Sequence, residues 1–353
     1  MTKRSVEPGD DGADPPTLAS GPGSVWRRVL LVYLALCLAG VIGVLTARIA
    51  PLSPLNPKLF TGHHSTETYR ALDDPFKPRL FSYLAARMVL APVPESTVRT
   101  LEERRFYYDG GVLTDRSFGR SVGLWSFGWM LGILGLAALG PRPFLFMLGS
   151  TLGVAYAYSV QSMVHPYDLP ALFFATAAVV AVQRGKSTWL AAILPIGMGF
   201  KETLGVFVAL AWAGPEPWRE RLRRIALLGT FCLIVLSAID FYSGRSLGAF
   251  ESISVEESTG EGTAKLLLNF ASLWEKGPQF LLANAGFAWL VFLLPGKDRK
   301  DRALKLTAAL FLLGIFCLAG ATEWRIWFEL LPLNLALLGS FLDRMESSRP
   351  LRH

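Results

Sequence analysis

Apolar residues in this chain come in charge-free blocks at 29–47, 121–140, 144–164 and 277–296. Each has about the 20 residues that an α-helix needs to cross a ~30 Å hydrocarbon core. Further apolar blocks follow at 169–182, 225–241, 304–321 and 326–342. The block at 187–215 is apolar except for Lys201 and Glu202 near its middle, so it reads either as one long helix or as two short ones that turn at that pair. The loop charges decide between these readings. Basic clusters at Arg27/Arg28, Arg184/Lys186, 219–224, 297–305 and 344–352 fall on one side of a membrane only if 187–215 is a hairpin. Short half-helices are tolerable where protein surrounds them. The pattern therefore predicts about ten spans, near 29–48, 121–140, 144–164, 168–183, 187–200, 203–215, 225–241, 278–296, 304–321 and 326–342, with both termini on the basic, cytoplasmic side.

The expected fold class is thus all-α, a polytopic transmembrane helical bundle with a short-helix hairpin. Residues 1–24, rich in Pro, Gly, Asp and Ser, read as a disordered cytoplasmic tail. Residues 25–342 read as a single transmembrane domain and 343–353 as a second cytoplasmic tail. The first apolar block begins too late, and is too long, for a cleaved signal peptide, so it is expected to stay as an anchor. A long first outer loop, 51–120, carries helical periodicity in Leu80, Phe81, Leu84, Ala85, Met88 and Val89, with Arg79 and Arg87 on the polar side; this suits a helix lying in the interface. A second short helix starts near Ser96, and a second outer loop occupies 243–276. Trp125, Trp189, Trp212, Trp218, Trp324 and Trp327 fall at expected interfaces.

Composition narrows the class. With 52% hydrophobic and 18% charged residues and a mean hydropathy of +0.37, a soluble fold would carry more apolar surface than it could bury. The net charge of +7 fits basic loops beside anionic lipid and points away from nucleic acid. Cys37, Cys232 and Cys317 all lie in apolar blocks and read as small buried hydrophobes. His63 and His64 have no partner at ligand spacing, so no metal site is expected and nothing in the spacing supports a divalent ion. No Gly-rich phosphate loop is evident, which argues against a soluble nucleotide donor and leaves no cofactor predicted.

The ten-span topology gathers outer-face polar residues: the first outer loop, His165, Asp168, Lys201, Glu202, and Glu323 with Arg325. Ionisable residues at membrane depth are costly and mark candidate sites. Lys201 and Glu202 read as a functional pair or as a structural ion pair that tethers the hairpin. Arg325 offers a fork suited to phosphate oxygens or, flanked by Trp324 and Trp327, an interfacial anchor. Asp168 reads as a site residue or as a helix cap. Glu67, Asp73, Asp74 and Arg79 supply candidate bases and a cation within one short stretch.

The acid and tyrosine of Glu67-Thr-Tyr69, then Pro75-Phe-Lys-Pro-Arg79-Leu, Asp168-Leu-Pro, Lys201-Glu202-Thr, and Glu323-Trp-Arg325 leading into Leu330-Leu-Pro332 together resemble the C-type membrane glycosyltransferase superfamily, and more narrowly its bacterial multi-pass proteins. The resemblance covers most of 29–342. It implies a transferase of the bacterial plasma membrane that moves a sugar from a polyprenyl-phosphate carrier to an acceptor on the non-cytoplasmic face. It further implies a catalytic carboxylate among Glu67, Asp73 and Asp74, cations at Arg79, Lys201 and Arg325, and orienting or acceptor-binding roles for His165, Asp168, Glu202 and Glu323. The competing expectation is a transporter or lipid-handling protein without transferase activity, its substrate site at the broken helices.

Overall fold

The computed structural model describes residues 22–51, 60, 80–103, 116–161, 164–242, 271, 293–296, 298–318 and 328–348. All regular structure among them is helical. The elements are α1 (Pro22–Ile49), α2 (Leu80–Leu90), α3 (Glu95–Glu103), α4 (Arg116–Ala138), α5 (Pro143–Gln161) and α6 (Asp168–Gln183). A 3₁₀ turn (Ser187–Trp189), α7 (Leu190–Met198) and a 3₁₀ helix (Glu202–Ala213) follow, then α8 (Trp218–Tyr242), α9 (Arg299–Leu318) and α10 (Leu330–Ser347). Three prolines sit where a helix accepts them, at the first position of α5 (Pro143) and in the first turns of α6 (Pro170) and α10 (Pro332), where a backbone N–H would have no intrahelical partner; Pro195 lies inside the short α7.

Four stretches, Val25–Ile49, Arg116–Ala138, Pro143–Val160 and Trp218–Ile239, are long and apolar enough to cross a membrane. Only 17% of the last is buried within the protein, and Val29, Val32, Tyr33, Val41 and Val44 stand exposed along α1. Apolar surface on this scale needs lipid as its solvent. Cys37 shares that exposed face, so it corrects the expectation of a buried hydrophobe; Cys232 is buried as expected. α1 also starts at Pro22, inside the stretch read as a disordered tail.

Close packing comes from small residues. A Cβ on Gly119 would stand 2.5 Å from the Ala47 carbonyl oxygen, and one on Gly123 would stand 2.7 Å from both the Ala47 Cβ and the Gly43 carbonyl oxygen. The backbones of α1 and α4 therefore touch, as small residues four apart allow in membrane helices. Gly149 and Gly153 of α5 likewise receive the side chains of Leu335 and Leu331 from α10.

The region 187–216 folds back on itself. Gly199 and Phe200 end α7, and Lys201 is extended (φ −157°, ψ 118°) before the 3₁₀ helix begins. At the far ends, Arg224 joins Ser187 (3.1 Å) to the Glu216 carboxylate, so the entry and the exit of the segment meet. A 3₁₀ helix rises about 2.0 Å per residue, so its 12 residues reach about 24 Å, which compensates for the shortness of this half. Protein surrounds it: Leu204, Phe207 and Leu210 are buried, and Phe207 meets Phe311 of α9 edge to face.

Candidate functional site

The helix ends sort into two poles. At one, basic side chains close the turns: Arg184 donates to the Leu139 carbonyl (2.7 Å), Lys300 to that of Gln183 (2.8 Å) and Arg299 to that of Pro215 (2.9 Å). Arg344 pairs with Asp301 at 2.5 Å, and Arg142 pairs with Asp343 (2.7 Å) and Glu346 (2.6 Å). Hydrogen bonds to Glu346 and then Asp343 raise the Arg142 pKa above its already high value. At the opposite pole lie the C-terminus of α1, the N-terminus of α4, the start of α6, the break at 199–201 and the start of α10.

Lys201 and Glu329 form the polar centre of that second pole. The Lys201 ammonium lies 2.7 Å from Glu329 Oε1, with side chains 6% and 0% exposed, and the Thr203 hydroxyl donates to the same oxygen at 3.1 Å. Glu329 Oε2 is buried with no hydrogen-bond partner among the described residues. The expected pairing of Lys201 with Glu202 gives way to this one. Lys201 is extended while Glu202 opens the 3₁₀ helix, and neighbouring residues across such a break project differently. The half-buried Glu202 occupies the first turn of that helix. Sequence reasoning passed over Glu329, although an acid inside the last apolar block satisfies the criterion that singled out Lys201.

His165 and Asp168 are both buried in the turn that leads into α6. The His165 and Tyr167 rings are 5.0 Å apart, and the indole N–H of Trp125 donates to the Pro166 carbonyl at 3.2 Å. Asp168 is not a cap: Tyr167 holds that position, without a side-chain hydrogen bond, and Asp168 is the first helical residue. Glu67, Asp73, Asp74, Arg79, Glu323 and Arg325 lie outside the described residues, as do His63, His64 and the outer loop 243–276 apart from residue 271. Among the described residues no group of His, Cys, Asp and Glu is placed to hold a metal ion.

An apolar groove of about 550 Å³ opens beside this pole. Leu84 and Met88 of α2, Trp125 and Trp129 of α4, Phe173 of α6 and Phe200 line it. α2 has the expected helical periodicity, but its packed face is Tyr83, Ala86, Val89 and Leu90, and Leu84 and Met88 are exposed to the groove. The Phe81 N–H donates to the Gly199 carbonyl (3.0 Å), which fixes α2 to the helix break. Phe200 contacts Phe81 (5.3 Å), Trp129 (5.6 Å) and Phe174 (5.6 Å). No family model, curated protein or solved structure matches the chain.

Proposed function

We propose that the chain is a glycosyltransferase-like membrane protein that moves a sugar from a polyprenyl-phosphate carrier to an acceptor on the non-cytoplasmic face. The observation that supports this reading is one of adjacency. Phe200 is part of the wall of an open apolar groove, and the next residue, Lys201, is a buried cation. A carrier with a long isoprenoid tail and a charged head needs both features in one site; Lys201 does not itself line the groove and is joined to it through the backbone of Phe200. Glu329 takes one of the three donors of the Lys201 ammonium, which leaves two for phosphate oxygens. In the full scheme the basic pole is cytoplasmic, the protein sits in a bacterial plasma membrane, and about ten spans carry the chain across it.

The transfer is a single displacement. A carboxylate from Glu67, Asp73 or Asp74 takes the acceptor hydroxyl proton as that oxygen bonds to the anomeric carbon, and the bond from that carbon to the phosphate oxygen breaks. Lys201, with Arg79 and Arg325, stabilises the departing polyprenyl phosphate. His165, Asp168, Glu202 and Glu323 orient these groups or bind acceptor hydroxyls.

The test uses reconstituted protein, labelled polyprenyl-phosphate hexoses and membrane extract as the acceptor source. Release of polyprenyl phosphate is expected to fall about 100-fold or more in Lys201→Met. A wild type that releases no carrier phosphate from any sugar overturns the reading. It would then favour the lipid-handling alternative, in which the 2.7 Å Lys201–Glu329 contact between the broken helix and α10 is a gate.

A further inference from the structure

A second groove, also of about 550 Å³, lies at the basic pole, far from Lys201. Ser187, Thr188 and Ala191 line it from the start of the hairpin, and α8 lines it from the other side. Along α8 the lining residues are Glu220, Arg223, Arg224, Leu227, Leu228 and Phe231, the spacing of a single helix face. Polarity changes within one turn of that face. Its first part is charged, and the rest, about 10 Å from Arg224 to Phe231, is apolar. Leu227 and Phe231 are exposed while Leu228 is buried, so the apolar floor is open to a ligand. A free ion has no use for that floor, and a plain hydrocarbon has no use for the rim.

The charges at the rim are unequally committed. Arg224 is spent on the Glu216 carboxylate and Ser187. Arg223 stands 3.9 Å from Glu220, with side chains 72% and 57% exposed, a screened contact of little strength. Its guanidinium fork is therefore free to bind a phosphodiester in two places. The exposed Lys186 directly precedes Ser187. Over 184–188 and 216–224 six basic residues (Arg184, Lys186, Arg219, Arg221, Arg223, Arg224) face two acidic ones (Glu216, Glu220). That excess selects a headgroup of net negative charge over a zwitterionic one.

We infer that this groove binds one anionic glycerophospholipid, its phosphate against Arg223 and its acyl chain along Leu227 and Phe231. The site is independent of any transfer reaction at the other pole. Its test places the full-length protein in phosphatidylcholine bilayers that contain phosphatidylglycerol with a photoactivatable acyl chain, and maps the adducts by mass spectrometry. Adducts are expected at Ala191 and within 227–231, about fivefold or more above those from a phosphatidylcholine probe. Arg223→Gln, a change at a solvent-facing side chain, lowers them about fivefold, and Arg99→Gln on α3 leaves them unchanged. Equal labelling by the two probes, or labelling that persists in Arg223→Gln, overturns the site.

Discussion

Glu329 and Lys201 stabilise each other, and neither tolerates solitude at this depth. Removing one partner leaves a buried charge uncompensated, so Lys201→Met and Glu329→Gln are each expected to cost about 3–5 kcal/mol. The double variant Lys201→Met/Glu329→Leu is expected to recover most of that loss, as measured by thermal unfolding in detergent, without recovering activity. A double variant no more stable than either single one would show that the two residues do not act as a pair. Sequence revealed Lys201 because a charge inside an apolar block stands out. It could not reveal the partner, because proximity in sequence is the only proximity it displays, and that favoured Glu202. Cys37 was misjudged for a related reason: an apolar block does not say which of its faces meets protein and which meets lipid.

At the scale of elements, the contact of α1 with α4 depends on the absence of side chains. Gly123→Leu is expected to push the helices apart and to lower the unfolding temperature markedly, because a Cβ there would lie 2.7 Å from Gly43 and Ala47 atoms. Gly128→Ala, where nothing lies within 4 Å, serves as the neutral control. Gly185 turns the chain from α6 into the hairpin at φ +71°, a conformation that costs a residue with a side chain about 1 kcal/mol. Gly185→Ala is thus expected to destabilise by about that amount in the same assay. The helix positions were largely legible: the block read at 168–183 coincides with α6, and the interfacial helix read from Arg79 to Ala91 corresponds to α2. The 3₁₀ form of residues 202–213 was not, because hydrophobic pattern fixes which residues avoid water and not the rise per residue with which they do so.

At the scale of the molecule, the loop charges carried more information than hydropathy. The turns between α4 and α5, between α6 and the hairpin, and between the hairpin and α8 meet at one pole through Arg142, Arg184, Lys300, Arg299 and Arg224. Arg184, Arg224 and the pair Arg299 and Lys300 belong to three of the five basic clusters that parity assigned to one side, and Arg142, which the parity argument had not used, joins them. The candidate site was less legible. His165, Asp168, Lys201 and Glu202 lie at the opposite pole as the topology requires, but the groove beside them arises from side chains of α2, α4 and α6 that only the fold brings together.

Residues 187–216 enter and leave at the same face, which puts Lys201 at the opposite pole beside Glu329. Cysteine accessibility tests this hairpin most directly, with single cysteines at Lys186, Arg219 and Ser96 in a background lacking Cys37, Cys232 and Cys317, and an impermeant thiol reagent applied outside intact cells. Labelling is expected at position 96, with protection at both 186 and 219 until the membrane is permeabilised. Labelling at 219 with protection at 186 would make the segment a single crossing and rule out the hairpin.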